Sequence, residues 1–168
     1  LFLVPEVTLA VRFAALFKTA LPSISIYGFH SATSKKEKKE VWNNALNKKP
    51  QLIVGVHLPV LIPLSNLGLI IIDEEHDQSF QEKKHPKINT KEIALLRAQL
   101  YKIPIILGSA TPSVTSLYNV DHKKWHYCTL KNRFAGAFPT IKTVKINDNK
   151  ECRKNFWITK ELERAIHD

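Results

Sequence analysis

Short apolar runs alternate along this chain with segments whose apolar residues recur every three or four positions. The runs are bounded by Pro, Gly or charged residues, and they span residues 1–4 (LFLV), 23–27 (SISIY), 51–56 (QLIVGV), 67–72 (LGLIII) and 103–107 (IPIIL). Apolar β-branched runs without alternation are typical of strands that are buried on both faces, as in a parallel sheet covered by helices. Because helical patterns separate the strands up to residue 118, the sequence predicts an α/β fold with a parallel sheet flanked by helices.

The helices are predicted from their spacing and from the residues at their ends. They cover residues 8–20, 35–47, 89–100, 111–118 and 159–167. Asn89 followed by Glu92 has the spacing of a capping box, and Thr111 can cap the short helix that follows it. In the helix after Asn89, three apolar residues fall on one face, which we expect to be buried: Ile93, Leu96 and Leu100.

The pattern changes after Asp121. Two short strands, over residues 125–130 and 140–146, are predicted around the turn-rich stretch RFAGAFP at 133–139. The polar, lysine-rich stretch from Asp77 to Lys87 has no period and is predicted to be a surface loop. We therefore expect one domain over residues 1–120 and a short β-containing linker at the C-terminal end, over residues 121–168.

Composition adds a candidate partner and argues against several classes of protein. The formal net charge is +10, from 25 Lys and Arg against 15 Asp and Glu, and such an excess favours a polyanion, with nucleic acid the first candidate. A lysine-rich solvated surface explains the same charge. The apolar runs are too short to cross a membrane. Cys128 and Cys152 form no CxxC pair, so we expect neither a zinc site nor a required disulfide, which fits a reducing cytoplasm.

Two of the predicted strands end in polar clusters, DEEH at 73–76 and GSAT at 108–111. The carboxyl ends of parallel strands meet at one edge of a sheet, where α/β proteins bind their ligands, so we expect the clusters to lie together. Adjacent carboxylates suit nucleoside-triphosphate hydrolysis, because one can hold Mg²⁺ through water and the next can orient or deprotonate the attacking water. For the first cluster taken alone, an acidic turn that only solvates a strand end is the alternative.

The amino-acid sequences of both clusters resemble motifs of a known family. DEEH at 73–76 resembles motif II, the Walker B box, of superfamily 2 helicases, and SAT at 109–111 resembles their motif III. Wider stretches are similar to the PriA family of replication-restart DNA helicases: LFLVPEVTL, LGLIIIDEEHDQSF and ALLRAQLYKIPIILGSATPSVTSLYN. The resemblance runs over the whole chain and is weakest after Asp121.

The resemblance implies a RecA-like lobe of the P-loop NTPase type and a 3′-to-5′ DNA helicase that uses ATP and Mg²⁺. Asp73 would hold Mg²⁺ through the nucleotide and water, and Glu74 would polarise the attacking water. The residues implied in nucleotide binding and in coupling hydrolysis to DNA movement are Glu75, His76, Gly108, Ser109 and Thr111. The implied substrates are forked DNA and D-loops, and the implied partners are primosome proteins and the single-stranded-DNA-binding protein.

The same resemblance implies a DNA side of the lobe. Pro5 and Glu6 match the family's motif Ia, a strand-end loop beside the DNA track, and His30 and Ser31 match the loop after the second strand. His57 stands in a Val-His-Leu stretch where the family typically has Thr-Arg-Ser. Histidine is a poorer cation than arginine near neutral pH, so this departure changes the expected contact with DNA phosphate.

Several parts of such a helicase have no counterpart in this sequence. None of the five glycines begins a phosphate-binding loop of the form GxxxxGK[ST], and the family's zinc-binding cysteines and second lobe, with its arginine finger, would lie outside this chain. We therefore interpret residues 1–120 as most of the first motor lobe, incomplete at its N-terminus, and residues 121–168 as a linker and the start of the second lobe. The fragment alone would lack ATPase activity.

Two other hypotheses stay open. The first is a superfamily member with another substrate class, such as an RNA helicase or a fork-reversal translocase. The second is a non-enzymatic basic domain, derived from a helicase lobe, that binds DNA or a replication partner.

Overall fold

The structure is a computed structural model that describes residues 1–82, 85, 87–132, 140–144 and 158–167. The chain divides into two compact units, Leu1–His126 and Tyr127–Asp168. No helix among the described residues is both long and apolar enough to cross a lipid bilayer.

Five strands of the first unit form one sheet: β1 (Phe2–Leu3), β2 (Ser25–Phe29), β3 (Gln51–Gly55), β4 (Ile70–Ile72) and β5 (Ile105–Leu107). Their order is β2-β3-β1-β4-β5, and every neighbouring pair is parallel. The predicted α/β fold with a parallel sheet flanked by helices is confirmed. β1 lies at the centre of the sheet, and β4, which carries the isoleucine run, lies between β1 and β5. Burial of a strand on both faces requires packing elements on both sides of the sheet, and helices cover both sides here.

Helices follow the strands of the first unit: α1 (Val7–Ala20), α2 (Lys35–Leu46), α3 (Thr90–Tyr101) and α4 (Val114–Asp121), with short 3₁₀ turns at Leu58–Leu61 and Gln78–Phe80. The second unit contains α5 (Lys160–His167). The predicted helices are present, but the cap of α4 differs from the prediction. Ser113 Oγ accepts a hydrogen bond from the Ser116 N–H at 3.3 Å, so Ser113 caps α4 and Thr111 belongs to the preceding turn.

The sheet separates two apolar cores, because successive side chains of a strand point to opposite faces. Side chains of β1, β3 and β4 alternate between the cores, with Leu3 on one face and Phe2 on the other. The first face packs against α2 and α3, and the second packs against α1. On the α1 side, the Phe2 ring lies 5.0 Å from Phe13 and 5.2 Å from Phe17, measured between centroids.

The buried face of α3 is not the one that the sequence predicts. Leu96 and Leu100 are 54% and 67% exposed, and Ile93 is only partly buried. Ala94 and Ala98 are buried instead. Both sets of residues have helical spacing, and the small side chains allow α3 to pack closely against the sheet, which the pattern of hydrophobicity alone cannot reveal.

One loop prediction and the strand predictions after Asp121 also need correction. The stretch from Asp77 to Lys87 is not only a surface loop, because Phe80 is 2% exposed and belongs to the core under α3. Residues 125–130 form no strand, and neither do residues 140–144. The rest of the strand predicted over 140–146, and the turn-rich stretch 133–139, lie outside the described residues. Lone apolar stretches without a partner strand do not have to pair.

Candidate active site

The carboxyl ends of the five strands lie at one edge of the sheet because all five run parallel. The residues predicted for the site follow these ends: 30–31 after β2, 57 after β3, 5–6 after β1, 73–76 after β4 and 108–111 after β5. The structure therefore brings the DEEH and GSAT segments together on neighbouring strands. The residues predicted to contact DNA follow the other three strands.

Asp73 lies directly against the first residue of the GSAT segment. The Asp73 N–H donates to the Leu3 carbonyl at 2.9 Å, and the Gly108 N–H donates to the Ile72 carbonyl at 2.8 Å. A Cβ atom at position 108 would lie 3.4 Å from Asp73 Oδ1, at the near limit of ordinary van der Waals contact. The Asp73 carboxylate therefore lies beside the backbone of Gly108 at the sheet edge.

Glu74 has a backbone conformation that is uncommon for a side-chain-bearing residue. Its φ angle is 50°, in the left-handed region, which is sterically unfavourable for residues other than glycine. Its carboxylate is partly exposed and lies 3.6 Å from Nδ1 of His76. Such conformations persist where the surroundings determine them and cluster at functional sites.

His76 joins the DEEH segment to the GSAT segment. Its Nδ1 atom forms a 2.6 Å hydrogen bond with Ser109 Oγ. The Ser109 hydroxyl also accepts a hydrogen bond from the Thr111 N–H at 3.0 Å. Three of the five residues implied in nucleotide binding and coupling, His76, Ser109 and Thr111, are therefore joined in one hydrogen-bonded chain. The side chains of His76 and Thr111 remain exposed.

Glu75 turns inward, away from solvent, and both of its carboxylate oxygens are bound. Oε1 accepts from the Ser113 N–H at 2.7 Å, and Oε2 accepts from Ser116 Oγ at 3.0 Å and from Ser113 Oγ at 3.1 Å. Lys91, from the first turn of α3, completes the cluster with a short ion pair to Oε2. Glu75 therefore holds the motif II turn against α3 and α4.

Lys91, Ser113 and Ser116 are site residues that sequence reasoning missed. One signal in the sequence was the lysine at the start of the predicted helix. The N-terminal turn of a helix carries a partial positive charge, so a lysine there is electrostatically unfavourable. A cation in that position is most easily explained by an acidic partner in another element. Which acidic residue it meets depends on the packing of α3 against the motif II turn.

The residues predicted for the DNA side have mostly structural contacts in this chain. Pro5 is buried and its carbonyl accepts from Ser79 Oγ at 3.2 Å. His57 Nδ1 forms a 2.8 Å hydrogen bond with Thr90 Oγ1, at the start of α3. His30 is half-buried, and its Nδ1 atom has no hydrogen-bond partner among the described residues.

Glu6 and Ser31 are the exposed members of the same group. Glu6 precedes α1, and its Oε2 atom accepts a hydrogen bond from Thr8 Oγ1 at 3.1 Å. Ser31 lies in the loop after β2, where its carbonyl accepts from Lys38 Nζ at 3.4 Å. Both side chains are open to solvent at the edge of the sheet.

Comparison with known proteins decides the family. The sequence profile of the DEAD/DEAH box helicase family matches residues 1–120. The chain belongs to this family. The match covers the complete sheet, with the DEEH and GSAT segments at its edge.

The relatives are replication restart proteins. This helicase chain is 32% identical to the Replication restart protein PriA of Rickettsia felis over 174 residues, which is 100% of the chain and 26% of the relative. It is 36% identical to the Bacillus subtilis protein of the same name over 131 residues, or 78% of the chain and 16% of the relative. For the Synechocystis protein the identity is 37%, over 99% of the chain and 21% of the relative. The chain thus spans about a quarter or less of the length of these relatives.

Helicases of this family use ATP and Mg²⁺. At the sheet edge of this chain, one carboxylate suits the binding of Mg²⁺ together with a nucleotide. Among the described residues there is no group of three His, Cys, Asp or Glu side chains that could hold a metal ion by themselves. The half-buried Asp73 carboxylate accepts no hydrogen bond from those residues. A single carboxylate of this kind suits Mg²⁺, which keeps several waters and takes its other ligands from nucleotide phosphates.

The pKa of the Glu75 carboxyl in this helicase chain lies below its usual range. Burial is the largest single effect and raises the pKa, but it is outweighed by hydrogen bonds from Lys91, Ser113 and Ser116 together with the positive charge of Lys91. The folded chain therefore favours the ionised form of Glu75.

This depressed pKa predicts a loss of stability in acid. A carboxyl with a lowered folded pKa contributes stability that is present above its unfolded pKa, about 4.3 for Glu, and is lost as the pH falls through the folded pKa. We expect the free energy of unfolding, measured by urea denaturation, to fall steadily below about pH 5. The fall should be less steep in Glu75→Gln, because glutamine has no carboxylate that takes up a proton as the pH falls.

Comparing the pH dependence of stability in wild type and in Glu75→Gln separates the contribution of Glu75 from those of other carboxyls. The pKa values of Glu37 and Asp77 are also lowered, by hydrogen bonds from Ser34 and Ser79 respectively. Both groups are present in wild type and variant, so they contribute equally to the two profiles. Parallel pH profiles for wild type and Glu75→Gln would contradict the prediction.

Proposed function

We propose that the intact protein containing this chain is an ATP-dependent DNA helicase of the replication-restart type that moves 3′ to 5′ on DNA. The observation that carries this proposal is the His76–Ser109 hydrogen bond, which joins motif II to motif III beside two adjacent carboxylates. The similarity of nearly the whole chain to proteins named Replication restart protein PriA supports the choice of DNA forks and D-loops as substrates.

In this proposal the two outward carboxylates have different roles. Asp73 holds the magnesium ion, which neutralises phosphate charge when it is bound with ATP. Glu74 accepts a proton from the attacking water and orients that water. Its partly exposed carboxylate lies 3.6 Å from Nδ1 of His76, whereas Glu75 is buried.

The coupling roles follow from the contacts between the two segments. A change at the nucleotide reaches His76 through Glu74, whose carboxylate lies 3.6 Å away. His76 passes the change to Ser109, and Ser109 passes it to Thr111 through the backbone amide. DNA is proposed to lie along the ends of β1, β2 and β3, where Glu6, Ser31 and His57 occupy the loops.

The remaining parts of the proposal concern the whole protein. We propose that residues 1–120 are most of the first motor lobe and that 121–168 are a linker and the start of the second. Primosome proteins and the single-stranded-DNA-binding protein are the proposed partners, the cytoplasm is the proposed location, and zinc is proposed to bind outside this chain. The 168-residue chain by itself is proposed to lack ATPase activity, because none of its five glycines begins a phosphate-binding loop.

The test is an unwinding assay with the intact protein. Forked DNA with a single-stranded 3′ tail on the tracking strand should be unwound in the presence of ATP and Mg²⁺, and the same duplex with only a 5′ tail should not. The 168-residue chain should hydrolyse no ATP under these conditions. Preference for RNA duplexes, or DNA binding without ATP hydrolysis by the intact protein, would contradict the proposal and favour the other two hypotheses.

A further inference from the structure

The ion pair between Glu75 and Lys91 is the most unusual electrostatic feature of the described residues. Glu75 is 3% exposed and Lys91 is 9% exposed, and they are the two charged side chains that are buried in this part of the chain. Two charges taken out of water lose hydration, and buried ion pairs can often be replaced by apolar residues without loss of stability. Stability alone therefore does not explain why charges occupy these two positions.

Glu75 connects the two ends of the GSATPS segment, residues 108–113. The Glu75 N–H donates to the Gly108 carbonyl at 2.9 Å, and its Oε1 atom accepts from the Ser113 N–H at 2.7 Å. Ser109 and Thr111 lie between these two anchors. A movement of the Glu75 side chain would release one end of the segment, and a movement of its backbone would release the other.

Lys91 is the only cation bonded to Glu75 among the described residues, and it reaches Glu75 from a different element. Its Nζ atom also donates to Ser113 Oγ at 3.1 Å and to Ser116 Oγ at 3.4 Å. The preceding residue, Thr90, is fully buried and forms a 2.8 Å hydrogen bond with Nδ1 of His57. The first turn of α3 thus contacts both the motif II turn and the loop after β3.

We propose that Lys91 is a positioning residue for ATP hydrolysis: it fixes Glu75, and through Glu75 it fixes Glu74 and the 108–113 segment. Thr90 connects this cluster to the loop after β3, on the side proposed for DNA. The expected effect of Lys91 on ATP hydrolysis rests on the proposed helicase function. The contacts by which Lys91 and Glu75 hold residues 108–113, called the clamp below, are a property of the folded chain and can be tested without ATP.

The catalytic test compares three substitutions in the intact protein. Lys91→Met keeps the length of the side chain and removes its charge, and we expect kcat for ATP to fall about 10- to 100-fold, as for a misplaced catalytic group. The KM for ATP should change by less than about threefold, since Lys91 lies off the nucleotide. Lys91→Arg keeps the cation and should restore kcat. Lys36→Met, on the exposed surface of α2, is the matched control and should behave as wild type.

A second measurement reads the clamp directly. Hydrogen–deuterium exchange of the nucleotide-free intact protein should show faster exchange in residues 108–113 for Lys91→Met, and wild-type exchange for Lys91→Arg and Lys36→Met. The amide of Ser113 should respond most, because it donates to Glu75 Oε1. Unchanged exchange in Lys91→Met would overturn the proposal.

A double variant distinguishes the loss of positioning by Lys91 from a loss of stability. Glu75→Gln combined with Lys91→Met removes both buried charges, so neither is left unpaired, and should recover stability while kcat remains low. If kcat recovers together with stability, or if Lys91→Arg is as slow as Lys91→Met, Lys91 has no positioning role. Absence of ATP hydrolysis in the wild-type protein would overturn the proposed function instead, and the exchange measurement would still decide whether Lys91 holds the segment.

Discussion

Replacing Glu74 by glutamine in the intact protein should lower kcat for ATP hydrolysis at least about 100-fold, the effect expected when a general base is lost. Glutamine has nearly the same shape as glutamate but cannot accept the proton of the attacking water at neutral pH. Binding of ATP should be retained, with a dissociation constant within about threefold of wild type, because Asp73 and the phosphate contacts are unchanged. Steady-state kinetics and nucleotide titration measure the two quantities separately.

Glu40→Gln is the matched control for this variant. Glu40 is a partly exposed residue in the middle of α2, outside the DEEH and GSAT segments, and the substitution makes the same change of charge. It should leave kcat at the wild-type value. Normal turnover in Glu74→Gln would exclude Glu74 as the group that activates water.

Replacing Gly55 by alanine should destabilise the chain by about 3 kcal/mol, near the upper end for overpacking in a well-packed interior. A Cβ atom at position 55 would lie 2.3 Å from the Phe29 carbonyl oxygen and 2.5 Å from Pro59 Cγ. The first contact is with the backbone of a neighbouring strand, which cannot move without breaking the β2–β3 pairing. Urea denaturation followed by circular dichroism measures the loss.

Gly68→Ala separates this steric effect from the general effect of replacing glycine. A Cβ atom at position 68 has no heavy atom within 4 Å, and its φ is not in the left-handed region. This variant should be neutral, or more stable by about 0.4–1 kcal/mol, because alanine restricts the unfolded chain. Equal stability of the two variants would mean that the β2–β3 edge accommodates a side chain at Gly55.

The structure gives the three acidic residues of motif II three different environments. Asp73 lies at the sheet edge against Gly108, Glu74 is partly exposed in a left-handed conformation, and Glu75 is buried against Lys91. The first two are partly exposed, whereas Glu75 is closed off from solvent. We therefore propose that Glu75 contributes by holding the motif II turn in place and not by contact with the nucleotide, which refines the role that the family resemblance implies for it.

Much of the fold could be predicted from the sequence alone, because strands and helices are specified by local patterns of apolar and polar residues. The apolar runs and helical periods identified the five strands and five α-helices of the described residues, and their alternation up to residue 118 predicted a parallel sheet. The same patterns wrongly predicted a strand over residues 125–130. Parallel strands necessarily bring their carboxyl ends to one edge, so the proximity of DEEH and GSAT followed from the sequence without coordinates. The family resemblance then supplied roles for Asp73 and Glu74 that spacing alone left open.

Tertiary structure decided which partners each element has. The sequence could not tell that β1 is central, that α3 buries Ala94 and Ala98, that Phe80 enters the core, or that Lys91 meets Glu75. These facts depend on contacts between residues far apart in sequence, and many arrangements satisfy the same local period. Hydrophobic periodicity records which residues can be buried, whereas the neighbour that buries each of them is set only when the elements pack together.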